Sequence, residues 1–485
     1  MYHELTPWPE PGASSFSSRW RLKAMTERPK VIKFRACSPV RFAIVASREW
    51  SSFKIAGVVC IGLFALLLEG CPRSPVHEPV TLTLLDWQYT GEAFAKEYEQ
   101  EFRQFTKETG NQVRFLPSAE TPQQRLAVFR KFLGTGSSNI DVYSIDVIWP
   151  EIVGEYSLDL KPYFGNEMSA VFPALAANDT VNGKLVAMPY RADLGLLFYR
   201  TDLLQQYGYR GPPATWDELE AMAARIQAGE RAKGNKNFWG YVWQGDAAEG
   251  LACNALEWQS SEGGGRIIER DKTVSVNNPD AIRAWQRAAR WVGSISPPSV
   301  VVYKEWDGTN FWAAGNAAFM RNWPQASVAS RAAASPIRNK FDVTLLPAGK
   351  AGRVGTLGGT SLAVSRFSTH PQEALELIRY LSSEHLQVER SRTLSVPPTR
   401  RRLYETREVL EANPNFAQLG QALRTDAVVS RPSDVAGKNY EQVSEAYIQA
   451  VHSVLTRKQN APEAAEALEA ELMRITGFKK GPPSR

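Results

Sequence analysis

From Val80 onward, strand-like and helix-like segments take turns, and this alternation constrains the fold more than any other feature. Val80–Trp87 (VTLTLLDW) alternates and carries β-branched residues, as a half-buried strand requires. A helical stretch follows at 93–109, a strand at 111–116, a helix at 125–133 and a strand at 140–145. Parallel neighbours need a connection long enough to hold a helix, so the pattern predicts an α/β fold with a largely parallel sheet. Next, 184–200 reads as two apolar strands broken at 189–193 (PYRAD). Thr215 and Glu218 form a capping box for a helix with Leu219, Met222 and Ile226 on one face and Gly229 as its stop. Further on, 237–245 reads as an aromatic strand and 249–261 as a helix. Strands at 341–347 and 361–365 flank a glycine-rich loop. Helices are expected at 370–387 and 462–475, the second opened by Asn460. A length of 485 residues predicts two or three domains.

Ahead of this region lies Ile55–Leu68 (IAGVVCIGLFALLL), fourteen residues without a charge, preceded by Arg48 and Lys54. The run is shorter than the span of about 20 residues that crosses a bilayer, and it reads as the apolar core of an export signal. Gly70-Cys71 resembles a bacterial lipobox, in which the cysteine is lipidated; Glu69 departs from that pattern. An uncleaved N-terminal anchor is the alternative. Both readings place the bulk of the chain outside the cytoplasm, in the periplasm or at the cell surface. Pro72–Pro79 reads as a stiff linker.

The chain holds 57 basic and 51 acidic residues, but ten and five of these precede Cys71, leaving 47 against 46. So balanced a mature chain lacks the basic stripe that nucleic acid would require. After Cys71 the one remaining cysteine is Cys253, expected as a small buried residue on a helix. Five histidines form no HExxH, and GxSxG and Walker A sequences are absent. Zinc enzymes, serine hydrolases and P-loop nucleotide chemistry are therefore disfavoured, and no metal or cofactor is expected.

Eleven of the fourteen tryptophans follow Cys71, several beside carboxylates, amides or arginines at strand ends: Asp86-Trp87-Gln88, Asp146–Trp149, Trp243-Gln244 and Arg321–Pro324. A pyranose offers an apolar face that covers an indole and hydroxyls that both donate and accept. Carboxylates and guanidinium groups satisfy those hydroxyls with charge-assisted bonds.

The blocks Gly183–Arg231, Asn237–Gly264, Gly315–Pro324 (GNAAFMRNWP) and Thr356–Val364 (TLGGTSLAV) resemble the extracellular solute-binding proteins of ABC transporters, in the maltose-binding family and its trehalose/maltose branch. The resemblance extends from about Val80 to Phe478. It implies a two-lobed α/β fold of the type II periplasmic binding class, with a ligand cleft between lobes joined by a multi-stranded hinge. Lobe I would comprise 80–189 and 343–394, lobe II 190–342 and 395–478, with 479–485 as a tail. The resemblance carries ligand-binding roles onto Glu92, Arg125, Asp146, Tyr190, Asp193, Trp323, Gly358, Gly359 and Arg431. Thr360 departs from the family, whose close members place a tryptophan after the double glycine. The implied partners are a di- or oligosaccharide and the permease subunits, with a lipid anchor on Cys71, a monomeric state and no catalysis. Two rivals stay open: an exported glycoside hydrolase, since paired carboxylates beside tryptophans also describe that site, and a same-fold receptor for a non-sugar solute. Read as residues alone, Asp146 and Asp193 could be helix caps, Arg125 and Arg431 surface ion pairs, and the glycine pair a turn.

Overall fold

A computed structural model of the chain describes residues 78–87, 92–118, 121–425 and 427–484. The expected signal segment 1–71, with Cys71, and most of the 72–79 linker lie outside the described residues. The principal elements begin with β1 (Thr81–Trp87), α1 (Glu92–Thr109), β2 (Gln112–Ser118), α2 (Pro122–Gly134), β3 (Val142–Asp146), β4 (Met188–Leu194) and β5 (Leu196–Arg200). There follow α3 (Trp216–Ala232), β6 (Trp239–Val242), α4 (Glu249–Ser261), α5 (Pro279–Trp291), α6 (Glu305–Ala313), β7 (Ala317–Asn322) and β8 (Phe341–Leu345). The chain finishes with β9 (Gly355–Val364), α7 (Pro371–Leu381), α8 (Glu384–Leu394), β10 (Val428–Val429), α9 (Tyr440–Leu455) and α10 (Ala461–Thr476).

Two main sheets organise these elements. The first has the order β10-β9-β3-β1-β2, with β4 also paired to β9; the second has the order β8-β5-β7-β6. The expectation of a largely parallel sheet holds for β1 with β2 and β3, for β9 with β10 and, in the second sheet, for β7 with β6. β9 runs antiparallel to β3 and β4, and β5 lies antiparallel to both β7 and β8. The cause is local: β4 and β5 are separated by Gly195 alone, so the chain passes between sheets without a crossover helix. The expected break at 189–193 therefore lies inside β4, and the real interruption is at Gly195. The expected lobe boundaries 189/190 and 342/343 fall inside β4 and β8. By sheet membership the chain changes sheet at Gly195 and again between Leu345 and Gly355. The expected tail opens as a short strand, Lys479–Lys480, paired with Thr273–Val274.

A Cβ at Gly195 would lie 1.9 Å from Glu257 Oε1 and 2.5 Å from Arg321 Nη2. The glycine is required by this close approach at the crossing point. Gly195→Ala is expected to cost about 1–3 kcal/mol through overpacking, read as a lower midpoint in thermal unfolding.

Apolar packing follows the sheets. Leu82, Leu84, Val142, Leu362 and Val364 of the first sheet meet Leu377, Ile378 and Leu381 of α7. Leu196, Phe198, Met320 and Val343 of the second meet Trp312 of α6 and Phe416 and Leu419. Most of the tryptophans are core: Trp258 packs edge-on to Trp243 at 4.9 Å and to Trp291 at 5.7 Å. Two expected helix ends are displaced. Gly229 does not stop α3, because the absence of a side chain there admits the Tyr207 ring, whose hydroxyl would lie 2.1 Å from an added Cβ. The single helix expected at 370–387 is two, with Ser383 capping α8 through the N–H of Leu386.

Candidate functional site

The polar side chains that can act on a ligand collect where strands end. Asp146 closes β3, Asp193 lies near the end of β4, and Asn322 closes β7 with Trp323 directly after it. α4 and α6 bring in Glu249 and Glu305 at their first positions, where a carboxylate also complements the helix dipole. Together with Trp87, Trp306, Gly358, Gly359, Thr360 and Arg431 these residues line one cavity enclosing about 740 Å³, part of it open to solvent. The crevice beyond the carboxyl ends of strands is the usual ligand position in α/β folds.

Arg431 joins the end of β3 to the start of α4 at this cavity. Its Nη1 donates to Glu249 Oε1 at 3.0 Å, and its Nη2 approaches Asp146 Oδ1 at 3.4 Å. Glu249 is held further by Tyr440, whose hydroxyl donates to Oε1, and by Ser444 Oγ at 2.7 Å. Asp193 accepts from Gln325 Nε2 at 2.5 Å. Burial pushes its carboxyl up to about 6; Gln325 and Arg191 work against that shift, and Asp146 adds to it. Burial likewise raises Glu305, with Trp323 opposing through a hydrogen bond. Cys253 sits on α4, as expected, and lines the cavity, with its thiol pushed up to about 12 by burial.

Trp323 is seated from behind. The Arg321 guanidinium lies 4.2 Å from its ring centroid, and that cation is paired with Glu257 in a fully buried bidentate contact at 2.8 and 2.5 Å. Glu257 Oε1 also accepts the Thr356 N–H of β9 at 3.0 Å. A Cβ at Gly358 would lie 2.8 Å from the indole, so the first glycine of the pair makes room for Trp323. Gly359 has φ +116°, and a Cβ there would lie 2.2 Å from the Arg191 carbonyl oxygen.

Of the nine residues singled out from sequence, six line the cavity: Asp146, Asp193, Trp323, Gly358, Gly359 and Arg431. Three do not. Glu92 is exposed at the start of α1. Arg125 is buried, with its guanidinium 4.2 Å from the Trp87 ring and 5.4 Å from that of Trp149. Tyr190 is the extra residue of a bulge, since Arg191 pairs with Thr360 and Pro189 with Ser361. Its ring enters the core of the first sheet between Arg191 and Arg390, each 4.5 Å away. Trp306, Glu249 and Glu305 were not singled out. The signal for the two glutamates was an acidic residue at a helix start, which reads equally well as a partner of the helix dipole. Among the described residues no group of three or more His, Cys, Asp or Glu side chains could hold a metal ion, and no helix is long and apolar enough to cross a membrane.

The model of one family, bacterial extracellular solute-binding protein, matches residues 101–418. The chain belongs to that family. This solute-binding protein is 47% identical over 375 residues, 77% of its own length and 89% of the relative's, to a probable ABC transporter-binding protein of Deinococcus radiodurans. Among solved structures it resembles maltose-bound MalE3 of T. maritima, at 31% identity and TM-score 0.76, covering 82% of this chain and 100% of that one. A solute-binding protein of Agrobacterium radiobacter in complex with ribitol shares the fold at 19% identity and TM-score 0.72, again over 82% and 100%. The two-lobed α/β architecture is thus that of the MalE-type binding proteins, and membership of an extracellular family places the protein outside the cytoplasm.

Proposed function

We propose that the cavity binds a di- or oligosaccharide of the trehalose or maltose type and that the protein passes it to the permease of an ABC importer. The observation that carries this reading is the joint lining of one cavity by Trp87, Trp306 and Trp323 with Asp146, Asp193, Glu249, Glu305 and Arg431. Indole faces cover the apolar side of a pyranose, and the charged groups take up its hydroxyls in pairs. The likeness to a maltose-bound protein at 31% identity supports the same class of ligand. Because a ligand in this cavity would bridge the sheets, binding favours the closed form over the open one. The protein is a receptor and catalyses nothing. It acts as a monomer, tethered through Cys71 by lipid, or by an uncleaved segment, so that its local concentration near the permease is high.

Thermal unfolding in the presence of maltose, trehalose and maltotriose tests this. A sugar at a hundredfold excess over its Kd is expected to add about 2.7 kcal/mol of stability. Stabilisation by amino acids or phosphate esters with no response to sugars would refute the carbohydrate assignment. Release of glucose from maltose or trehalose would make the protein a glycoside hydrolase instead.

A further inference from the structure

Thr360 and Arg431 both line the cavity, and each carries a buried polar atom without a partner in the protein. Thr360 is 3% exposed and lines the cavity, yet its Oγ1 is buried without a hydrogen-bond partner. Arg431 is 4% exposed, and although Nη1 and Nη2 are engaged with Glu249 and Asp146, its buried Nε has none. Buried polar atoms are paired in the great majority of cases, and one left open against a cavity marks a place for a ligand atom.

The backbone places these groups together. In the β9–β3 pairing Thr360 stands directly opposite Asp146, so their side chains share one face of the sheet. Arg431 Nη2 reaches the same Asp146 carboxylate at 3.4 Å. The Thr360 hydroxyl and the Arg431 guanidinium thus flank one acceptor, the Asp146 carboxylate, at one corner of the cavity. A sugar hydroxyl accepts and donates at once and satisfies all three; an ether oxygen or a methyl group cannot donate to Asp146.

We propose that Thr360 is a specificity-determining residue of the cleft, holding one free hydroxyl of the bound sugar together with Arg431 and Asp146. The inference rests on the sugar-receptor reading and sharpens it. At this wall the ligand is recognised through a hydroxyl and not through the stacking of a ring face, and a ligand capped there by an ether is rejected.

Titration calorimetry of the purified protein with maltose and trehalose, for the wild type and for Thr360→Val, Thr360→Ser and Thr360→Ala, tests it. The valine and alanine variants are expected to weaken the better-bound sugar about five- to tenfold, the effect of one lost buried hydrogen bond. The serine variant, which keeps the hydroxyl, should stay within about twofold. Unchanged affinity in a folded valine or alanine variant overturns the role of Thr360 and leaves the receptor reading standing. Equal losses in the serine and alanine variants also overturn it, because keeping the hydroxyl would then have no effect on affinity. A wild type that binds neither sugar removes the receptor reading for this ligand class, and the inference with it.

Discussion

Replacing Trp323 with alanine is expected to weaken sugar binding about thirtyfold while leaving the protein folded. The indole is half-buried at the cavity wall, with one face against Arg321 and its edge over Gly358. What a ligand would lose is a large, rigid stacking surface already held in place. Truncating such an anchor typically costs about 2 kcal/mol or more of binding energy. Arg321 would lose its cation–π contact but keep both hydrogen bonds to Glu257. The midpoint of unfolding should therefore move far less than it would for a fully buried indole such as Trp258. Calorimetry and thermal unfolding on the same variant separate the two effects. Loss of stability with affinity retained would show Trp323 to be core and would place the ligand elsewhere.

Asp193→Asn is expected to move stability and affinity in opposite directions. Its carboxyl is raised by burial from 3.8 to about 6 in the folded protein. Between those values the folded protein binds more protons than the unfolded chain, so stability falls as pH rises through the window. By pH 7 the ionised carboxylate costs roughly 3 kcal/mol relative to its protonated form. Asparagine keeps an acceptor for Gln325 without the charge, so the variant should unfold at a higher temperature than the wild type at pH 7 and lose that advantage below about pH 4. Sugar affinity should fall about tenfold, because a charge-assisted hydrogen bond becomes a neutral one. Wild-type affinity should weaken for the same reason as pH drops below about 6. A variant that binds as tightly as the wild type across this range would remove Asp193 from the ligand contacts.

The elements readable in advance were those with local causes. Thr215 accepts the Glu218 N–H, and Asn460 accepts that of Glu463, as their helix-start patterns imply. β1 and α1 follow from apolar periodicity. Asp146, Asp193 and Trp323 were carried onto the cleft by the family resemblance, and all three line the cavity. Tyr190 does not line the cavity because it is the extra residue of a bulge, a property of strand pairing with Ser361 and Thr360, which lie far along the chain. Arg125 does not line the cavity, and its sequence context does not reveal that its guanidinium packs 4.2 Å from the Trp87 ring. Glu249 and Glu305 were passed over because an acid at a helix start already has a sufficient explanation in the helix dipole. Gly195 separates the two sheets because Glu257, 62 positions later, brings its carboxylate against that backbone, a contact with no local signature.

The most direct test is a crystal structure of the protein grown with maltose or trehalose. The sugar is expected in the cavity between the two sheets, with one ring face on the Trp323 indole and hydroxyls on Asp193, Asp146 and Arg431. A sugar bound outside this cavity, or an unoccupied cavity at saturating sugar, would contradict the account.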